Sequence, residues 1–482
     1  MNDPLHSLPR RAFLEQTGLG FGTLALAHLL HADGLLAAES GPGGTDLRPR
    51  PGHFQGQAKA IILLMQAGGP SQVDLFDPKP ELQKRDGQKH PDQVESFQPG
   101  SQANLLMASA YKFRKHGQCG MDFSELLPHL GTVADDVCMV RSMVSDNNNH
   151  PQAMRCINTG KIFPGRPTLG AWVSYALGTE NETLPAFVVL RDPDGYSSGG
   201  ATNWENGWLP AQFRGTEVQS RGAAVLNLHP AVATPGGVQR TNLDTLAKLN
   251  EEHRKLYPGE SELEARIRNY ELAARMQLHA ERQLDLSKES PTTRKMYGLD
   301  NPVTSNFGTR CLMARRLVES GVRFVQVMSP VSGGGWDHHN NIKEGLAKVS
   351  PQVDQPSAAL IRDLKQRGLL DSTIILWTGE FGRLPITQGS TGRDHNRYAF
   401  TLLLAGGGFK AGHIHGTTDE FGYKAVNKKV SCPSLLATIL NQLGLDHTQL
   451  AYRHHGREET LTDAAVTGAR VVTELLQKLA TG

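Results

Sequence analysis

A strand-length run without a single polar residue, Ala60-Ile61-Ile62-Leu63-Leu64-Met65, ends at Gly68-Gly69-Pro70 and constrains the fold more than any other stretch. A strand with one wet face alternates apolar and polar residues. One that is apolar throughout is covered on both faces, as the central strands of parallel sheets are. Runs of the same kind recur at Val137–Met143, Ala186–Leu190, Val322–Met328, Ile374–Trp377 and Phe400–Leu404. Between several of them the apolar residues take helical spacing, over Glu125–Ala134, Leu169–Leu177, Phe307–Glu319 and Gln355–Gln366. Strand and helix in alternation predict an α/β fold with a mostly parallel central sheet and helices on both faces. In such sheets ligands collect beyond the carboxyl ends of the strands.

One connection does not suit a parallel crossover. The segment Gly379–Arg397 contains Pro385, Gly389 and Gly392 and has no helical period, so the strand near Phe400 is expected to run antiparallel. The loop then stays at the carboxyl edge, and His395 comes close to Glu380. Near the start, Arg10-Arg11-Ala12-Phe13-Leu14, a weakly apolar stretch from Gly18 to Leu30 and Leu36-Ala37-Ala38 follow in the order of a twin-arginine (Tat) export signal. Residues 1–38 are read as that signal, recognised by the Tat export machinery, with the exported protein periplasmic or extracellular. The apolar stretch carries His28 and is short for a bilayer core of about 30 Å, and no cysteine lies near the cleavage point, so no stable membrane anchor is expected. Residues 39–57 read as a Gly/Pro-rich linker. Residues 58–482 read as one large domain with a helical insertion around 243–290, whose stripe Leu263, Ile267, Tyr270, Ala274 and Leu278 would pack on the main body. The loops of 191–237, held by Trp204 and Trp208, are expected to roof a site.

With 50 basic and 48 acidic residues the net charge is only +2, which excludes a global affinity for nucleic acid or an anionic membrane. The five cysteines, Cys119, Cys138, Cys156, Cys311 and Cys432, have neither metal-site spacing nor the density of a disulfide scaffold and are expected as buried thiols.

The residues able to do chemistry gather just past the apolar runs. Asp337, His338 and His339 follow one strand and a Gly333-Gly334-Gly335 turn; Glu380 and Arg383 follow another; Arg393, Asp394 and His395 lie in the loop beyond. Asp337, His339, Glu380 and His395 together offer hard oxygens and imidazoles to a divalent metal, zinc or manganese in preference to calcium, which favours all-oxygen shells but remains admissible. His150 follows Asp146-Asn147-Asn148-Asn149 and precedes Pro151, so it sits at a helix N-terminus where an anion could dock, and it is a candidate ligand or nucleophile. Arg383 and Arg393 are candidates for neutralising an anionic group. Gln66, Asn149, His338 and Asp394 flank these groups as further candidates. Each has a plain alternative: Asp337 or the asparagines as helix caps, Glu380 paired with Arg383.

These segments carry a resemblance. Met65-Gln66-Ala67-Gly68-Gly69-Pro70-Ser71, His150 through Gly160, Gly335-Trp336-Asp337-His338-His339, Gly379-Glu380-Phe381-Gly382-Arg383 and Gly392-Arg393-Asp394-His395 resemble an uncharacterised family of Tat-exported bacterial proteins, itself distantly similar to the alkaline phosphatase and sulfatase superfamily. The likeness to sulfatases implies that the segment ending Thr159-Gly160 matches their nucleophile helix, with His150 where a modified cysteine, or the hydroxyl of phosphatases, would stand. It further implies that Asp337, His339 and His395 match metal ligands, and that Glu380-Phe381 matches an Asp-His or Asp-Asn pair whose second ligand is lost. Gln66 and Ala67 stand where an acidic residue is expected. The implied function is an exported metal-dependent hydrolase of phosphate or sulfate esters, acting on a small anionic ester or a sulfated or phosphorylated polysaccharide. The competing reading is a non-catalytic secreted binding protein with a degenerate metal site, for instance for sulfated glycans.

Overall fold

In a computed structural model of the chain, which describes residues 47–181, 183–220, 236–257, 267, 285–331 and 334–477, the apolar runs become the strands of one nine-stranded sheet. In chain order these are β1 (Ala60–Met65), β2 (Val137–Val144), β3 (Phe187–Leu190), β4 (Thr216–Val218), β5 (Phe324–Met328), β6 (Thr373–Thr378), β7 (Phe400–Ala405), β8 (His413–His415) and β9 (Val430–Ser431). Across the sheet the order is β8-β2-β7-β6-β1-β5-β3-β4, with β9 also on β2. β1 lies between β5 and β6 and is parallel to both, every residue buried. β7 is antiparallel to both β6 and β2, as the missing crossover requires.

Because side chains alternate along a strand, the two faces of β1 feed two cores. Ile62 and Leu64 join one with residues of α4 (Ser305–Glu319) and α5 (Ile342–Gln366), numbered after α1 (His150–Thr159), α2 (Leu169–Leu177) and α3 (Gly236–Leu256). Ile61, Leu63 and Met65 join the other with α1, α2 and α6 (Cys432–Gln442). Among the described residues no helix is long and apolar enough to cross a membrane. Cys138, Cys156, Cys311 and Cys432 are buried thiols and Cys119 is partly buried.

Two expectations about helices change. The period over Gln355–Gln366 belongs to a longer helix, since α5 starts at Ile342 and runs through Pro351 and Pro356. Its buried face, Ile342, Leu346, Val349, Val353, Leu360 and Leu364, continues across both prolines, and packing that face outweighs the hydrogen bonds the prolines cannot donate. The stretch 125–134 is not one helix: a hairpin of Phe113–His116 with Met121–Ser124 leads into a single turn, Pro128–Gly131. Asp354 of α5 accepts the free N–H groups of His129 and Leu130 at 2.8 and 2.7 Å, which closes that turn against the core. Residues 47–57 are tied to the body, Arg50 N–H to Leu177 and Phe54 N–H to Gly444. The signal expected at 1–38 lies outside the described residues. So does the stripe of the second insertion helix, apart from Ile267, which is buried.

The carboxyl ends of β2, β6, β1 and β5 open at one edge and deliver the segments beginning at Ser145, Gly379, Gln66 and Ser329. The amino end of antiparallel β7 brings the segment before Phe400 to the same edge, where His395–Asn396 pairs with Gly382–Arg383.

Replacing Leu64 with alanine removes a fully buried side chain from the central strand and should cost about 3 kcal/mol, lowering the urea midpoint, whereas an unchanged midpoint would contradict this packing. Burial lifts the Asp354 carboxyl to about 7 against its two N–H donors. The folded chain therefore keeps a proton that the unfolded chain releases near pH ~4, and this stabilisation is lost as pH rises toward 7. The melting temperature of the native protein relative to Asp354→Asn should fall between pH 5 and pH 8; a constant difference would count against a raised value.

Candidate metal centre

The turn after β5 is anchored from below. Trp336, buried, donates its N–H to Ala67 O at 3.3 Å and its indole Nε1–H to Gln66 Oε1 at 3.2 Å, so Asp337 emerges at a fixed point above the end of β1. His339 follows two residues on. His150 is the first residue of α1, with Asn149 as its extended N-cap and Pro151 in the first turn, where a missing N–H costs nothing. The Asn149 side chain makes no capping hydrogen bond.

These elements bring His150, Asp337, His339 and His395 into one group whose ligand atoms all lie within 4.8 Å of one another. The Nε2 atoms of His150, His339 and His395 are 3.2, 3.0 and 3.4 Å from the Asp337 carboxylate. Each ring is held from behind at Nδ1: His150 by Glu380 Oε1 at 2.5 Å, His339 by Gln388 Oε1 at 2.5 Å, and His395 by the carbonyl of Asn148 at 2.6 Å. All three partners are acceptors. Gln388 presents its oxygen because its amide N–H donates to Pro99 O at 3.0 Å. Each Nδ1 therefore carries a hydrogen, so each ring meets the carboxylate with Nε2, as a donor when the ring is protonated and as a lone pair when it is neutral. Lone pairs facing an anion repel it unless a cation lies between them. Nε2 of His150 and of His339 are buried and make no hydrogen bond, which fits a donor set built for a metal ion.

The electrostatics agree. Burial opposes charge on His150, but Asp337 and Glu380 outweigh it and raise its pKa to about 9. The two negative charges that favour a proton there equally favour a divalent cation. His395 is pushed below the ordinary histidine value by burial and by the charges of Arg383 and His150, which keeps its lone pair available. Burial alone would raise the Asp337 pKa, yet hydrogen bonds donated by the three imidazoles when a proton rather than an ion sits at Nε2, together with Arg383, hold it far below the usual carboxylate range.

Glu380, expected as a ligand, is not one of the four. Fully buried, its carboxylate accepts from the N–H groups of Gly68 (3.0 Å) and Gly69 (3.3 Å) as well as from His150, and it stands behind the imidazole. Gly68 and Gly69 take φ of +114° and +72°, and a Cβ on Gly68 would lie 2.7 Å from Asp337 N, so a side chain there would close the approach. The guanidinium of Arg383 donates to Asp337 Oδ1 at 2.6 Å. Arg393 is turned elsewhere: its donors go to Asp74 and to the carbonyls of Leu384, Met107 and Ala108. Asp394 is fully buried and accepts from the N–H groups of Phe97, Gln98 and His395, and Gln66 is spent on Trp336. The His338 ring packs against Gly345 of α5, and burial together with Arg383 pushes its pKa down to about 4. Sequence reasoning missed Gln388, the Asn148 carbonyl and the two glycine N–H groups. Of these only Gly68-Gly69, directly after a buried strand, left a signal.

A pocket of about 190 Å³ opens beside the group, with His150, Asp337 and Gly68 on one wall and Tyr196, Ser197 and Ser198 on the other. Tyr196, Ser197 and Ser198 of the loop that follows Asp192 thus line the site, within the loops expected to roof one. Among the described residues that line it there is no lysine or arginine, and the buried Ser197 hydroxyl has no partner among them.

Several solved structures are similar to the chain at low identity and low TM-score. A phosphonate monoester hydrolase from Silicibacter pomeroyi is 12% identical over 86% of this chain and 78% of its own, with a TM-score of 0.35. A sulfatase from Pseudoalteromonas sp. is 12% identical over 81% and 68%, with a TM-score of 0.33. The alkaline phosphatase of the Antarctic bacterium TAB5 is 10% identical over 81% and 99%, with a TM-score of 0.32. No curated protein matches the chain. Residues 58–476 match the family described as Protein of unknown function (DUF1501), and the chain belongs to that family.

Proposed function

We propose that the protein is an exported metal-dependent hydrolase of phosphate or sulfate esters, with His150, Asp337, His339 and His395 as the ligands of a zinc or manganese ion. The observation that carries this reading is the convergence of three imidazoles, each tied at Nδ1, on one carboxylate at the wall of an open pocket. Such ligands with a pocket beside them suit a catalytic rather than a purely structural ion. A divalent ion bound there supplies Lewis acidity toward an ester oxygen.

The chain's own groups do the remainder. Glu380 holds the Nδ1 proton of His150 and thereby the direction of its Nε2. Arg383 holds Asp337, and Arg393 braces Asp74 and the carbonyls of Leu384, Met107 and Ala108, so both arginines act as positioning residues. With no lysine or arginine among the described lining residues, an anionic group of the substrate would be met by His150, and the hydroxyls of Ser197 and Ser198 can donate to its outer oxygens. No hydroxyl or thiol occupies the start of α1, so attack by water rather than through a covalent serine suits the site. The Arg10-Arg11 leader would carry the folded protein through the Tat machinery to the periplasm or beyond.

Asp337→Ala should abolish zinc binding and hydrolysis of aryl phosphates or aryl sulfates together, and Glu380→Gln should weaken zinc binding roughly 10- to 100-fold while leaving the fold intact. Hydrolysis indifferent to both Asp337→Ala and His150→Ala would remove these residues from the reaction. Tight metal binding without turnover of either ester class would favour the secreted binding protein instead. Arg10→Lys with Arg11→Lys should leave the protein in the cytoplasm, and export of that variant would refute the Tat assignment.

A further inference from the structure

We infer that the centre takes a single divalent ion because the guanidinium of Arg383 already occupies, as a permanent cation, the second cation position beside Asp337. This rests on the metal reading above. Arg383 is fully buried and sits in a cage of oxygens: Nε donates to Gly69 O at 3.0 Å and Nη1 to Arg393 O at 3.0 Å. Nη2 donates to Asp337 Oδ1 at 2.6 Å, to Trp336 O at 3.4 Å and, at short range, to Gly68 O. A carboxylate and four carbonyls around one guanidinium are oxygens of the kind a hard cation seeks, and here a charged side chain has filled the place. The other side is closed by Phe381. Its ring is fully buried, 4.8 Å from His150 and 4.5 Å from His395, and offers no lone pair.

The charge count points the same way. Asp337, Glu380 and Asp394 against Arg383, with Arg393 paired to Asp74, leave two excess negative charges, with the imidazoles neutral as ligands. One divalent ion neutralises them. Two would leave two excess positive charges, in a group where Glu380, Arg383, Asp394 and His395 are at most 1% exposed, and uncompensated buried charge is strongly unfavourable.

The test is a count of metal. Full-length protein is stripped with a chelator, loaded with zinc chloride, freed of excess, and measured by mass spectrometry of the metal and by titration calorimetry. One tight zinc per chain is expected. Two in the native protein would overturn the inference and leave the metal reading standing, whereas none would overturn the metal reading itself. Arg383→Lys keeps a cation and should stay at one ion. Arg383→Ala should gain a second zinc, or melt at a higher temperature in millimolar guanidinium chloride than in sodium chloride; an Arg383→Ala protein that does neither contradicts the proposal. Should that variant fail to fold, the count on the native chain decides alone.

Discussion

Three imidazoles each donate from Nδ1 to a fixed acceptor, and the rest of the site follows from that. Glu380 and Gln388 come from the loop before β7 and the Asn148 carbonyl from the segment before α1, yet each imposes the same consequence, an Nε2 directed at Asp337. A histidine on a loose loop samples both tautomers and many rotamers. Held this way it has one of each, and the entropy that binding a cation would otherwise cost has been lost already on folding. The fold supplies the grip because parallel β1, β2, β5 and β6 end at one edge and antiparallel β7 returns the chain to it.

Buried charge is the second organising element. Arg383, Arg393, Glu380 and Asp394 are fully buried, each satisfied by several partners: Asp394 by three backbone N–H groups, Glu380 by two glycine N–H groups and His150, Arg393 by Asp74 and three carbonyls. Breaking one member would leave the others charged and unpaired in a medium that solvates them poorly, so the network specifies one arrangement of loops. Asp192 does similar work at the pocket's far wall, accepting from Val331 N–H at 2.7 Å and from Asn306.

Much of this was legible in the sequence because burial on two faces leaves a mark. The run Ala60–Met65 could be nothing but a central strand, and the lack of a helix between Glu380 and Phe400 foretold the antiparallel step that puts His395 beside His150. His150, Asp337 and His339 were visible since each lies in the segment just past an apolar run, and His395 since it lies in the loop just before one. Glu380 was found but its role was not, because a carboxylate that ligates and one that braces an imidazole have the same spacing. Gln388 and the Asn148 carbonyl left no mark at all, being ordinary groups that matter only through contacts 49 and 247 residues away in sequence. The prolines of α5 hid half a helix, since local propensity opposes what its apolar face and tertiary packing enforce.

The account stands on a cation lying among His150, Asp337, His339 and His395. Its most direct test is anomalous-difference density at the zinc absorption edge from crystals of the zinc-loaded protein. A single strong peak between the three Nε2 atoms and the Asp337 carboxylate, about 2 Å from each, is the result expected. Zinc bound elsewhere on the chain, with these imidazoles keeping protons or waters at Nε2, would contradict it.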